Sequence, residues 1–409
     1  MRAYDRLLRY VTADTQSNEK GRNTPSTEKQ FRLARLLYRE LTALGMERVH
    51  LDEHCYTYGF LPASPGMEDE PVIGLIAHID TAPDYTGAEV KPILCLHYDG
   101  RDLPLAESGH VLRPADFPDL YGCVGHTLIT TDGTTLLGAD DKAGVAEIMT
   151  ACERLLKGDR PHCAVGVCFT PDEEIGHGAA LLDFIRFGAN FAYTVDGGPV
   201  EEINYETFNA ASATVKLHGK SVHPGSAKGV MVNAALLAMR VNAMLPPEEV
   251  PACTEDYEGF YHLTDMSGDV SEAELKYIIR DHDAKGFAAR CEKLREIARA
   301  LNAEYGEGTV ELAIQEQYRN MADILNNHME IIRRAEKAIR LAGLEPVRRP
   351  VRGGTDGARL SFMGLPCPNL GTGGAAFHGP YEHIAAEDMD KAVEILMNIV
   401  CTPSSAVEE

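Results

Sequence analysis

The chain has 409 residues, 44% of them hydrophobic and 25% charged, a composition that excludes a disordered chain and a length that suits two domains better than one. Its 62 acidic residues outnumber 39 basic ones, and the resulting formal charge of −23 repels nucleic acid and anionic membrane surfaces. No apolar run approaches the ~20 residues needed to cross a bilayer. The opening MRAYDRLLRYVTAD scatters charges where a signal peptide keeps an uninterrupted apolar core, and the ten cysteines include no C-x-x-C pair. The expectation is a cytoplasmic protein with reduced thiols.

The first segment reads as two helices. For the second, Thr24 and Pro25 suit the N-cap and first helical positions, Phe31, Ala34, Tyr38, Leu41 and Leu44 share an apolar face, and Gly45 ends it. The apolar runs 72–77, 164–170 and 191–195 suit buried strands, and between the first two lies a helix, 142–156, with Val145, Ile148, Met149, Cys152 and Leu156 spaced for burial. This alternation predicts an α/β fold, a sheet flanked by helices on both faces. The rhythm then changes to a strand at 213–217, a helix at 233–244, strands at 259–264 and 274–280, a helix at 288–301 and a strand at 310–317. That order, β-α-β-β-α-β, is the ferredoxin-like unit. A helix at 327–341 and glycine-rich loops with short strands follow. The organisation expected is a small domain, 208–324, inserted into a larger one built from 1–207 and 325–409.

Five stretches set an acid or an imidazole at the end of a predicted strand or in a glycine-rich turn, where open α/β sheets bind ligands. In His78-Ile79-Asp80 the two side chains face the same way, so Asp80 can brace a metal-ligating His78; an ordinary surface turn has the same pattern. In GADDKAG, Asp140 sits at a helix N-terminus, where a plain N-cap would also place an aspartate. Glu173 and Glu174 follow a buried strand, where an unpaired acid is costly, so one can bind a metal while the other takes a proton; adjacent glutamates are otherwise solvated surface charge. Asp196 ends another strand, and His378 opens HGPYE. Together His78, Asp140, Glu174, Asp196 and His378 supply two imidazoles and three carboxylates, a set suited to zinc or a similar divalent ion. Three carboxylates and one bridging hydroxide balance the charge of two Zn²⁺ ions. The absence of cysteine from the set favours a catalytic over a structural site.

At these residues the chain resembles the di-zinc exopeptidases that include carboxypeptidase G, aminoacylases and succinyl-diaminopimelate desuccinylase. The stretches that carry the resemblance include HIDTAPD, LITTDGTTLLGADDKAGVAEIM, PDEEIG, VDGG, GKSVHPGSAKGVMVNA, IIRDHD, RGGTDGARLSFMGLPCPNLGTGG and FHGPYE, and they reach across nearly the whole chain. The resemblance implies that His78 and Asp196 hold one zinc, that Glu174 and His378 hold the other, and that Asp140 bridges them, with Mn²⁺ or Co²⁺ accepted by the same ligands. It implies that Asp80 orients His78, that Glu173 is the general base and acid, and that the Asp140–Asp141 peptide is cis. The implied fold is a zinc-peptidase catalytic domain with a mixed sheet, plus the ferredoxin-like insert as a lid through which two copies form a homodimer. His223, in SVHPG, is the implied oxyanion donor, acting across the dimer, although a solvent-exposed loop histidine would read the same. Asn233, Arg280, Gly354 and Thr355 are candidates for holding peptide ends; Arg280 could instead pair with Asp281 or Asp283. His177, after EEIG, reads as a surface residue outside the ligand set.

The activity implied is removal of the N-terminal residue from tripeptides, with small peptides as substrates. A dipeptidase, a carboxypeptidase or an N-acyl-amino-acid hydrolase would share the metal site and the base. A non-catalytic binding protein on this fold would be expected to lack Glu173 or one of the ligands, and none is missing.

Overall fold

The structure, a computed structural model, describes residues 1–105 and 108–407. It divides into two compact units: the first takes Met1–Tyr205, Ile324–Arg349 and the chain from Thr355 onward, the second Glu206–Asp323 with Pro350–Gly354. The second unit thus also takes residues 350–354, which the inserted-domain reading leaves with the larger domain.

The first unit is built on an eight-stranded mixed sheet in the order Glu47–Leu51, Thr57–Leu61, Val165–Thr170, Ile73–His78, Phe191–Gly197, Asn369–Gly371, Glu202–Asn204, Val347–Arg348. The four strands from Val165–Thr170 to Asn369–Gly371 run parallel, so their carboxyl ends share one edge. Ile73–His78 and Val165–Thr170 are buried at every position, which is why they read as unbroken apolar runs rather than alternating ones. Ile73, Leu75 and Ala77 join the larger core with the helices Ala3–Tyr10, Ala139–Lys157, Met329–Leu341 and Ala386–Cys401; Ile76 joins Tyr56, Phe187 and Leu360 in a separate cluster. Gly74 is required by this packing, because an added Cβ would lie 2.5 Å from the Phe187 ring.

Two local expectations are corrected. The second helix begins at Phe31, not at Pro25. The turn before it is held elsewhere: the Ser26 N–H and hydroxyl donate to Asp172, and the Thr27 hydroxyl donates to the Gln16 carbonyl. Its buried face is Leu33, Ala34, Leu37 and Leu41, with Phe31 and Leu44 partly buried and Tyr38 exposed. In Ala139–Lys157 it is Leu155, not Leu156, that is buried. Asp140 and Asp141 have non-helical backbone angles, and the peptide between them is cis.

The second unit is an antiparallel sheet in the order Phe260–Gly268, Glu272–Asp281, Asn209–His218, Val310–Tyr318. Ala211, Ala213, Val215 and Leu217 alternate along their strand to form its core with the helices Ala234–Ala243 and Ala284–Tyr305. The chain order is the expected β-α-β-β-α-β. Residues 350–354 join this unit through the Val351 N–H to the Glu206 carbonyl and through Arg352, which donates to the carbonyls of Thr254, Asp256 and Glu258. No helix among the described residues is long and apolar enough to cross a membrane. All ten cysteines are free thiols.

Candidate active site

The parallel strands of the first unit deliver their acids to one place. His78 ends one strand, Glu173 and Glu174 follow the next, and Asp196 is the next-to-last residue of a third. Asp140 enters from the irregular start of the helix Ala139–Lys157, which approaches closely because residue 144 is glycine: a Cβ there would stand 1.9 Å from the Val195 carbonyl oxygen.

Asp140 is the centre of the cluster. Its Oδ1 lies 2.9 Å from His78 Nε2, and its Oδ2 lies 3.2 Å from His378 Nε2. Asp196 Oδ1 is 3.5 Å from the same His78 nitrogen, and Glu174 Oε2 is 3.0 Å from His378 Nε2. On the far side of the ring, His78 Nδ1 is 3.3 Å from Asp80 Oδ1 and 3.2 Å from the Asp80 carbonyl. The buried Asp80 carboxylate also accepts the N–H groups of Glu173, at 3.0 Å, and Glu174, at 3.3 Å. One side chain therefore aligns the imidazole and fixes the turn that carries both glutamates. Asp172 secures that turn from below by accepting from Ser26 and Gln30.

Burial and crowding of like charge set the electrostatics of the cluster. Burial, reinforced by the charge of Asp196, pushes Glu173 well above the usual carboxylate range. Burial and the charge of Asp140 push Glu174 up to about 7, and burial takes Asp196 to about 6. Asp140 goes the other way: against its burial, the hydrogen bonds from His378 and His78 hold it below the ordinary value. Glu174 Oε1 is buried without a hydrogen-bond partner among the described residues. Lys142, buried beside the cluster, gives its ammonium to the Ala13 carbonyl at 2.9 Å. Crowded carboxylates, an orphaned oxygen and two imidazoles fit divalent cations. Two trios can each bring one donor atom apiece within 4.8 Å of one another: His78, Asp140 and Glu174, and His78, Asp141 and Asp196. Asp141 already accepts the N–H groups of His78, at 3.1 Å, and Gly144, at 3.2 Å, which makes it part of the scaffold.

Three buried acids around the cluster escape a reading of strand ends alone. They are Asp141, Asp356, which accepts from the Thr170 hydroxyl at 3.1 Å, and Glu382, which accepts three backbone N–H groups. Each stands in a stretch that carries the family resemblance, and that was the available signal.

The second unit holds most of the remaining candidates. His223 is exposed, and its Nδ1 accepts the Gly225 N–H at 3.1 Å, which in the neutral ring leaves Nε2 as the donor. The Asn233 side-chain oxygen caps the helix Ala234–Ala243 through the Leu236 N–H. Arg280 does not pair with Asp281 or Asp283: it donates to the carbonyls of Ala211 and Ile279 and lies over the Tyr318 ring. Asp281 meets Arg290 instead, and Asp283 caps the next helix. Gly354 packs so close to Tyr318 that a Cβ would lie 2.9 Å from the ring. Thr355, back in the first unit, caps the helix Asp356–Phe362 through the Ala358 N–H. His177 is exposed.

Residues 130–402 match the model of peptidase family M20/M25/M40. The chain is 53% identical over 398 residues to a peptidase T of Desulfitobacterium hafniense (strain Y51), covering 97% of each chain. Among solved structures, it superposes with a TM-score of 0.77 on an aminopeptidase PepT of Bacillus cereus, at 23% identity over 100% of this chain and 98% of that one. It superposes with a TM-score of 0.66 on a dinuclear metal-binding peptidase of family M20 from Bacillus subtilis, at 16% identity over 97% and 96% of the two chains.

Proposed function

The chain belongs to peptidase family M20/M25/M40, and from that premise we propose that it is a metallo-aminopeptidase that releases the N-terminal residue of tripeptides. The observation that carries the reading is Asp140, with one carboxylate oxygen turned to each of two imidazoles in a pocket of surplus acid. His78 and Asp196 would hold one divalent ion, Glu174 and His378 the other, and Asp140 both. The ions are Zn²⁺ in this reading, with Mn²⁺ or Co²⁺ able to use the same donors. Bound there, such ions would supply Lewis acidity, the chemistry that makes water more acidic and a carbonyl more electrophilic.

The chain's own groups do the rest. Glu173 takes the proton of the attacking water and returns it to the leaving amine. Asp80 holds His78 in the tautomer that leaves Nε2 free to coordinate, and it presents Glu173 through its backbone. His223 donates Nε2–H to the developing oxyanion, in the partner subunit of a homodimer formed through the second unit. Arg280 takes the peptide carboxylate, with Asn233, Gly354 and Thr355 contributing to the hold on the ends. The enzyme works on small peptides in the cytoplasm.

Turnover of di-, tri- and tetrapeptides with free and blocked termini tests the activity. Tripeptides with a free amine should lead, and preference for a dipeptide or an N-acylated amino acid would move the chain to another exopeptidase or to a deacylase. Mixing His223→Ala chains with Glu173→Ala chains should restore turnover; hybrids that form but stay inactive would remove the trans role.

A further inference from the structure

Glu382 is an acid that the chemistry above does not use. It is buried, and among the described residues its carboxylate hydrogen-bonds to backbone alone: Oε2 accepts the N–H groups of Leu137 and Gly138, both at 2.7 Å, and Oε1 accepts the N–H of Asp140 at 2.9 Å. These three donors belong to the turn that delivers Asp140, in which Gly138 has φ +76°. Glu382 lies four residues after His378, and its own N–H reaches the Gly379 carbonyl at 3.3 Å, closing a turn between them. One short segment thus carries an imidazole of the cluster at one end and, at the other, a clamp on the backbone of the residue whose carboxylate faces that imidazole.

We propose that Glu382 is a positioning residue for the metal centre, holding the turn 137–140 so that Asp140 directs one oxygen to each histidine. The inference rests on reading Asp140 as the shared ligand. A carboxylate is required by the donor count, since only an acceptor on both oxygens can meet three converging N–H groups. The isosteric Glu382→Gln would keep the shape and one oxygen but turn an NH₂ group either on the Asp140 N–H or on the Leu137 and Gly138 pair. A donor facing a donor would push the turn away. Shortening to Asp keeps the charge but places it a methylene away from the same donors.

The experiment uses the full chain loaded with Zn²⁺ or Co²⁺ and follows metal stoichiometry, affinity by chelator competition, the visible absorption of the Co²⁺ form and the split between kcat and KM. Glu382→Gln should bind metal about 10- to 100-fold more weakly, the scale found when a group behind a metal ligand is removed. It should also alter the Co²⁺ absorption and lower kcat more than it raises KM. Two ions at wild-type affinity with an unchanged Co²⁺ spectrum would overturn the proposal, even if the metal-free chain melts earlier. Should Glu382→Gln fail to fold, Glu382→Asp carries the same test, with unchanged affinity and spectrum as the overturning result. A wild-type chain that binds fewer than two ions would instead overturn the shared-ligand reading beneath it.

Discussion

Five acids in the second unit meet side-chain cations: Asp281 and Glu249 meet Arg290, Glu304 meets Arg240 at 2.6 Å, and Asp265 and Glu274 meet Lys276 at 3.2 and 3.4 Å. Around His78 in the first unit, acids meet backbone N–H groups, imidazoles and one another. Most pairs of the second unit are exposed, where solvent makes each contribute little. The acids of the first unit are buried in surplus, and burial of like charge is expensive unless a cation arrives to balance it.

Removing metal from the loaded protein tests that contrast most strongly. With each of two sites at about 100-fold excess of free ion over Kd, linkage gives about 2.7 kcal/mol per site, so chelation should lower stability by about 5 kcal/mol. Thermal unfolding with and without chelator measures it, and an unchanged midpoint would erase the distinction between the two sets of acids. Next comes Glu173→Gln, which should leave both ions bound and cut kcat by at least ~100-fold, the scale of general acid–base catalysis. Metal analysis beside kinetics decides it, and near-wild-type turnover would return Glu173 to the scaffold. The smallest effect belongs to the second unit. Arg290→Met strips the partner from the largely buried Asp281 and should cost about 2 kcal/mol in denaturant unfolding, with metal content untouched. A loss of bound metal in that variant would show that the two charge systems are not separate.

The acids of the site were legible where they ended a continuous apolar run, because such a run is buried on both faces and its carboxyl end is where a parallel sheet places ligands. His78, Glu174 and Asp196 were reached that way. Glu382 and Asp141 were not, because their roles depend on which backbone N–H groups they meet, and those lie as far as 245 residues away in the chain. The misplaced start of the helix Phe31–Leu44 has the same origin. Thr24 and Pro25 have the chemistry of a cap, but Asp172 recruits the turn that follows them. Local preference lost to a contact that only the folded chain contains. The ferredoxin-like order of the second unit was readable because its core alternates along the strands Asn209–His218, Glu272–Asp281 and Val310–Tyr318, whereas the recruitment of residues 350–354 left no periodic trace.

The parallel strands that converge on the site are far apart in sequence, and this sets a timetable. His78 and His378 are separated by 300 residues (378 − 78), and both flank Asp140. At the ~5–20 residues per second of synthesis, roughly 15 to 60 s pass between the appearance of the first imidazole and the second. For the later part of that interval, once Asp140 and Glu173 have been made, the nascent chain carries them without the segment that completes the cluster, so peptide-cleaving competence is deferred until the fold can close around it.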